Sequence, residues 1–188
     1  VYEQVYDTNG NPIEGAYVDR NSDGQITTDD LYYYKKPNAD FTFGLNTDFK
    51  YKNFDFNMFW RASLGNYMYN NIDSNHAFEY QLLNDAFPYV TNNGVVNILE
   101  TDFNNGGTPR YFSDYYVQDA SFIKLDNLTL GYTFNDLFRF TKVRFYGSAR
   151  NVLTLTKYTG PDPEVFRGID YNVYPKAKTY SLGLSVNF

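Results

Sequence analysis

Oxygen-bearing side chains recur at alternate positions through Asp19–Asp30, which reads DRNSDGQITTDD. Set against a calcium loop of the EF-hand type, Asp19 falls at position 1, Asn21 at 3 and Asp23 at 5. Gly24 takes the sharp bend at 6, Gln25 offers its backbone carbonyl at 7, and Asp30 closes the loop at 12. The expected calcium ligands are therefore Asp19, Asn21, Asp23, Gln25 and Asp30. Asp at the last position reaches less far than the usual Glu, and no helical pattern precedes the loop. The competing reading is an Asx-rich turn that binds nothing. Other reactive groups are sparse. The chain has one His, His76, and no Cys, so no His- or Cys-based nucleophile finds a partner and His76 reads as a surface residue. Asp162 and Glu164 alternate as an acid–base pair for sugar hydrolysis would. In an Asp-Pro-Glu turn they read better as solvated loop charges, and no catalytic residue is assigned.

The elements that hold these loops alternate apolar and polar residues, with Thr47 an exception on the apolar face of the first strand. In Lys178–Phe188, Tyr180, Leu182, Leu184, Val186 and Phe188 share one face of a strand. Thr179, Ser181, Gly183, Ser185 and Asn187 share the other. Phe41–Leu64 predicts a hairpin with a very short turn at Lys52-Asn53, and Phe59 is the one aromatic on its polar side. Strands are expected at about 41–51, 54–64, 117–134, 142–153 and 178–188. Ile123 and Leu125 are out of phase with Leu128 and Leu130, which predicts a bulge near Asp126-Asn127. The first pair of strands is about twice the usual 5–6 residues and near the 9–11 that a tilted strand needs to cross a bilayer. Ser74–Phe87 predicts a short helix capped by Ser74 and stopped by Pro88. Residues 1–40 read as a structured loop region. Residues 65–116 and 154–177 are long loops, and the other two connections are short. Long loops alternating with short turns are the rhythm of a transmembrane barrel, long side out.

With 188 residues the chain suffices for one domain with a core, and aromatics make up 20% of it, 20 of them Tyr. Tyr suits surfaces with an apolar body and a wet tip, such as membrane interfaces and sugar sites. The net charge of −6 argues against nucleic acid as partner. The absence of Cys excludes disulfides and thiolate metal sites. No apolar run approaches the roughly 20 residues of a membrane helix, a limit that does not apply to strands. The missing initiator Met suggests a piece of something longer. A soluble, calcium-stabilised β-sandwich that binds carbohydrate would account for the tyrosines and the acidic loop, but not for strand length or loop rhythm.

Four segments carry a family resemblance: Val1–Pro37, Tyr51–Asn57, Tyr116–Phe134 and Val143–Phe188. Together they make the chain resemble the C-terminal part of a SusC/RagA-type TonB-dependent outer-membrane transporter. The resemblance implies an all-β fold: the last five antiparallel strands of a plugged transmembrane barrel of about 22 strands, with long extracellular loops. It implies a bacterial outer-membrane location, with lipid and the rest of the barrel as neighbours. It also implies a SusD-like surface lipoprotein as partner, and a TonB complex reached through an N-terminal part missing here. Uptake would be of glycans or peptides.

Overall fold

The computed structural model describes residues 1–82, 94–104, 112–137, 140–165, 167–171 and 174–187. Nine strands form in chain order: β1 (Gln4–Tyr6), β2 (Pro12–Tyr17), β3 (Phe41–Tyr51), β4 (Phe54–Leu64), β5 (Tyr67–Tyr69), β6 (Val117–Asp119), β7 (Phe122–Leu137), β8 (Phe140–Thr156) and β9 (Thr179–Asn187). Among the described residues one short α-helix, α1 (Asn71–His76), follows β5. The chain divides into two compact units: Val1–Asn38 with Tyr67–Asp119 and Tyr158–Val173, and Ala39–Asn66 with Ala120–Lys157 and Tyr174–Phe188.

The second unit is one antiparallel sheet in the order β3-β4-β7-β8-β9. Its strands run 11, 11, 16, 17 and 9 residues. β3 and β4 pair without a slip from Phe41↔Leu64 to Tyr51↔Phe54. Lys52 in the turn takes a positive φ of 54°, as a two-residue hairpin demands. β7 and β8 pair as far as Leu137↔Phe140. The connection expected over Asn135–Thr141 therefore contracts to 138–139, which lie outside the described residues. Phe188 lies outside them too.

The bulge expected near Asp126-Asn127 is present. Phe59 pairs with Asn127 and Trp60 with Leu125, so Asp126 is the extra residue opposite β4. Opposite β8 the register shifts between Leu125 and Asn127, and Asn151 on β8 takes a φ of 53°. One inserted residue reverses the alternation. That reversal returns Ile123 and Leu125 to the face carrying Leu128 and Leu130.

The first unit gathers the three long stretches around aromatic side chains. Tyr69, Phe78, Phe103 and Tyr116 form its buried cluster, with Tyr115, Val117 and Ile169 packed against it. Tyr69 stacks on Phe112 with ring centres 4.3 Å apart. Many of the tyrosines thus pack on one another rather than standing free, although Tyr33 and Tyr171 remain exposed. β1 pairs with β2, and β5 with β6.

Two elements depart from expectation. The strand expected over 117–134 is two strands, because Val117–Asp119 pairs with Tyr67–Tyr69. The break falls at Ala120 and Ser121, where Ala120 N–H donates to the Asn66 carbonyl and Ser121 Oγ accepts from Gly65 N–H. The helix begins at Asn71, not after Ser74. Asn70 caps it, its side-chain oxygen accepting from Asp73 N–H at 3.0 Å, and Ala77 ends it. Asn70 sits nearer the start of the turn and outcompetes Ser74. The expected end at Phe87 and Pro88 lies outside the described residues.

Across the polar face of the sheet, glycines make room for larger neighbours. A Cβ at Gly183 would collide with the ring of Tyr146, its partner across the β8–β9 pair. A Gly183→Leu change is expected to expel that ring and destabilise the sheet by about 1–3 kcal/mol. Ser185→Ala should stay within about 0.5 kcal/mol. Thermal unfolding of the intact protein in detergent reads both, and equal melts for the two variants would contradict the packing.

Candidate functional site

The five-stranded sheet has two chemically opposite faces. On one, backbone register sets apolar side chains in rows: Phe43↔Ala62↔Ile123↔Leu155, and Tyr51↔Phe54↔Tyr132↔Phe145↔Leu184. These side chains are open. Leu45 is 60% exposed, Phe49 59%, Leu130 55% and Leu182 93%. Aromatics gather near the tight-turn end, where Phe54 meets Tyr132 at 4.6 Å and Tyr132 meets Phe134 at 4.7 Å between ring centres.

The other face is polar and internally paired. Arg144 on β8 reaches across β7 to Asp55 on β4, with Nε 2.8 Å from Oδ1 and a second guanidinium nitrogen 2.5 Å from Oδ2. The pair passes over Gly131, where a Cβ would strike both side chains. The guanidinium also lies 4.7 Å from the centre of the Tyr146 ring. Further along, the bulged Asp126 accepts both donors of Arg61. An amide ladder links Asn127 to Asn57 at 3.2 Å, Asn57 to Asn46 at 3.0 Å and Asn57 to Asp48 at 2.8 Å. Phe59, the aromatic on this side, lies over Gly44.

The acidic loop is folded on itself. Asp19 Oδ1 accepts from Ser22 N–H at 2.7 Å and its Oδ2 accepts from Gly24 N–H at 2.7 Å. Asn21 donates to Asp23 Oδ2 at 3.0 Å, and Asp23 Oδ1 accepts from Gln25 N–H at 2.8 Å. Asp19, Asn21, Asp23 and the Gln25 backbone thus share one turn. Asp30 is fully buried. It accepts from Arg20 N–H and Thr27 N–H, both at 2.8 Å. Backbone hydrogen bonds, that of Thr27 foremost, hold its carboxyl below the ordinary carboxylate range. Among the described residues, no three His, Cys, Asp or Glu side chains converge as a metal cluster. The oxygens of this loop now receive N–H donors, and a cation would share them.

His76 lies exposed in the last turn of α1. Asp162 is only 6% exposed and accepts from Glu164 N–H at 2.9 Å, so it serves its own turn instead of facing an open site beside Glu164. Sequence reasoning missed a buried polar knot in the loop unit. Asp73 Oδ2 accepts from Asn70 at 2.7 Å, from Thr159 at 3.3 Å and from Gln118 at 3.4 Å. Burial raises its carboxyl above the ordinary value. Nothing local in the sequence joins residues this far apart, and only the Asn70-to-Asp73 cap spacing was available as a signal.

No protein-family model matches the chain. Individual proteins do. The chain is 43% identical to the TonB-dependent receptor SusC of Bacteroides thetaiotaomicron, over 100% of this chain and 19% of that protein. It is 33% identical to TonB-dependent receptor P3 of Formosa agariphila, over 92% of this chain and 19% of that one. The structure of the RagAB peptide importer in its closed-closed state matches with a TM-score of 0.68 and 25% identity, over 98% of this chain and 20% of that chain. The structure of the RagAB peptide transporter matches at 0.66 and 28% identity, over 87% and 19%. The chain spans about a fifth of the length of the curated relatives it matches. A likeness that runs through loops and strands alike, in sequence and in fold, places this chain in the SusC/RagA family of TonB-dependent receptors.

Proposed function

We propose that the chain forms five wall strands and outer loops of a TonB-dependent importer in the bacterial outer membrane. The apolar face meets lipid and the polar face lines the lumen. The observation that carries this is the sheet itself, whose long strands expose apolar side chains in unbroken rows. A contiguous apolar surface of this kind marks a membrane or partner interface. A soluble sandwich would cover these rows with a second sheet. Among the described residues the other two sheets are two-stranded ribbons. The long connections all leave the sheet from the end opposite the tight turns, the side that faces outward in barrels of this kind.

The whole protein then imports glycans or peptides with a SusD-like surface lipoprotein, energised by a TonB complex, and performs no covalent catalysis. The similarity to SusC and to the RagAB peptide importer supports this reading. Fractionation of the native membrane, followed by mass spectrometry, should find the chain in the outer membrane within a barrel several times its mass and beside a lipoprotein. Recovery as a soluble monomer of 21.9 kDa would overturn the reading.

Calcium is part of the proposal. Asp19, Asn21, Asp23 and the Gln25 carbonyl would hold it, with Asp30 bracing the loop from behind. Calorimetric titration of the intact protein should show binding on the order of 10⁻⁴–10⁻³ M, as in extracellular calcium modules. Asp19→Ala should abolish it, and a folded sample that takes up no calcium would remove the metal. Acid tests Asp30 separately. Its folded carboxyl titrates below the unfolded value of about 4, so its contribution is complete above that value and fades as pH falls through the lower one. Hydrogen exchange corrected for intrinsic rates should show 19–30 losing protection only below about pH 4. Loss of protection at pH 6 would contradict the assignment.

A further inference from the structure

The loop unit contains a cleft of about 530 Å³, lined by Ile72, Asp73, Gly94, Val95, Val96, Asn97, Glu100, Gln118, Thr159, Gly160 and Pro161. That volume lies within the range of small-molecule sites and leaves ample room for one side chain of a bound peptide. Its polar groups are weighted towards acceptors. Two are carboxylates, Asp73 and Glu100. The Asn97 amide lies beside them, its Oδ1 buried and without a hydrogen-bond partner among the described residues. The Asn97 amide is held in place because its NH₂ donates to Tyr115 at 3.0 Å and to Glu100 at 3.2 Å. No Lys, Arg or His is among the described lining residues, and neither is any aromatic ring. The rest of the wall is aliphatic or small: Ile72, Val95, Val96 and Pro161.

The geometry points to a site for a primary ammonium on an aliphatic stem, the chemistry of a lysine side chain in a peptide. The Asp73 and Glu100 carboxylates would receive N–H donors of an ammonium. The valine, isoleucine and proline side chains would cover its methylene stem. A sugar fits less well, since among the described lining residues no ring offers a face on which a pyranose could stack. A neutral polyol would also leave Glu100 without a countercharge. Asp73 gains most from a cation, being buried with neutral partners only: Asn70, Gln118 and Thr159.

As a substrate contact the site rests on the import reading, whereas binding itself is measured independently. The intact protein carrying this chain is titrated calorimetrically with trilysine, triglutamate and maltoheptaose. Trilysine should bind saturably, and triglutamate should not. Glu100→Gln, and Val96→Lys with its own ammonium at the cleft mouth, should each weaken trilysine about tenfold. Glu100 and Val96 are both exposed, so neither change threatens the fold, and unchanged melting temperatures would confirm it. Equal trilysine affinity in wild type and both variants would overturn the site. Weakening of maltoheptaose alone would overturn it too and would assign the cleft to sugar hydroxyls. A barrel found in the outer membrane that binds no trilysine sinks this inference and leaves the import reading intact. A soluble monomer that binds trilysine through Glu100 does the reverse.

Discussion

Backbone hydrogen bonding is the constraint on which the rest of the sheet depends. In hydrocarbon no water is present to satisfy an N–H or C=O, so a strand must find its partners in its neighbours. From Phe41 to Asn187 the sheet meets this by antiparallel pairing over four consecutive interfaces. Pairing alone would not make a wall, because the side chains must also keep their faces. At Asp126 the sequence is out of phase, and the bulge absorbs the extra residue. It turns Asp126 to the polar side, where Arg61 receives it. A defect in the ladder thus preserves the two-faced character of the sheet.

On the polar face the charges are paired across strands. Arg144 crosses to Asp55 and Arg61 to Asp126, while three asparagines and Asp48 are joined in one ladder. Size is matched along with charge. Gly131 lies beneath the Arg144–Asp55 pair and Gly183 beneath Tyr146. Glycine costs something in a strand interior. It is accepted at these positions because the neighbouring side chain needs the space a Cβ would take.

The sheet was largely legible in the sequence, and the loop unit was not. Alternation is local, so the Phe41–Leu64 hairpin and the phase slip before Leu128 could both be read from a short window. Val117–Asp119 shows the limit. Its pattern continues naturally into β7, but Tyr67–Tyr69 takes it as a partner, and that competitor lies some fifty residues away. The helix start shows another limit, since Asn70 and Ser74 are both good caps and local spacing does not choose between them. In the acidic loop, spacing identified the residues that share a turn. It gave no sign that Asp30 would be buried behind them, held by the backbone of Arg20 and Thr27. Loops whose core is a set of distant aromatics, such as Tyr69, Phe78, Phe103 and Tyr116, leave little periodic trace in the chain.

The central claim is that one face of the sheet meets lipid and the other meets water. This chain has no cysteine, so once any cysteines elsewhere in the protein are replaced, single cysteines can be placed in it without background. Spin labels at Phe43, Gly44, Leu45 and Asn46 on β3, and at Ser181, Leu182, Leu184 and Ser185 on β9, would be read in native outer membrane. Collision with oxygen reports lipid, and collision with a water-soluble nickel chelate reports an aqueous surface. The account predicts strict alternation: oxygen dominates at 43, 45, 182 and 184, and nickel at 44, 46, 181 and 185. Nickel access at every position, or burial from both reagents on the apolar face, would contradict it.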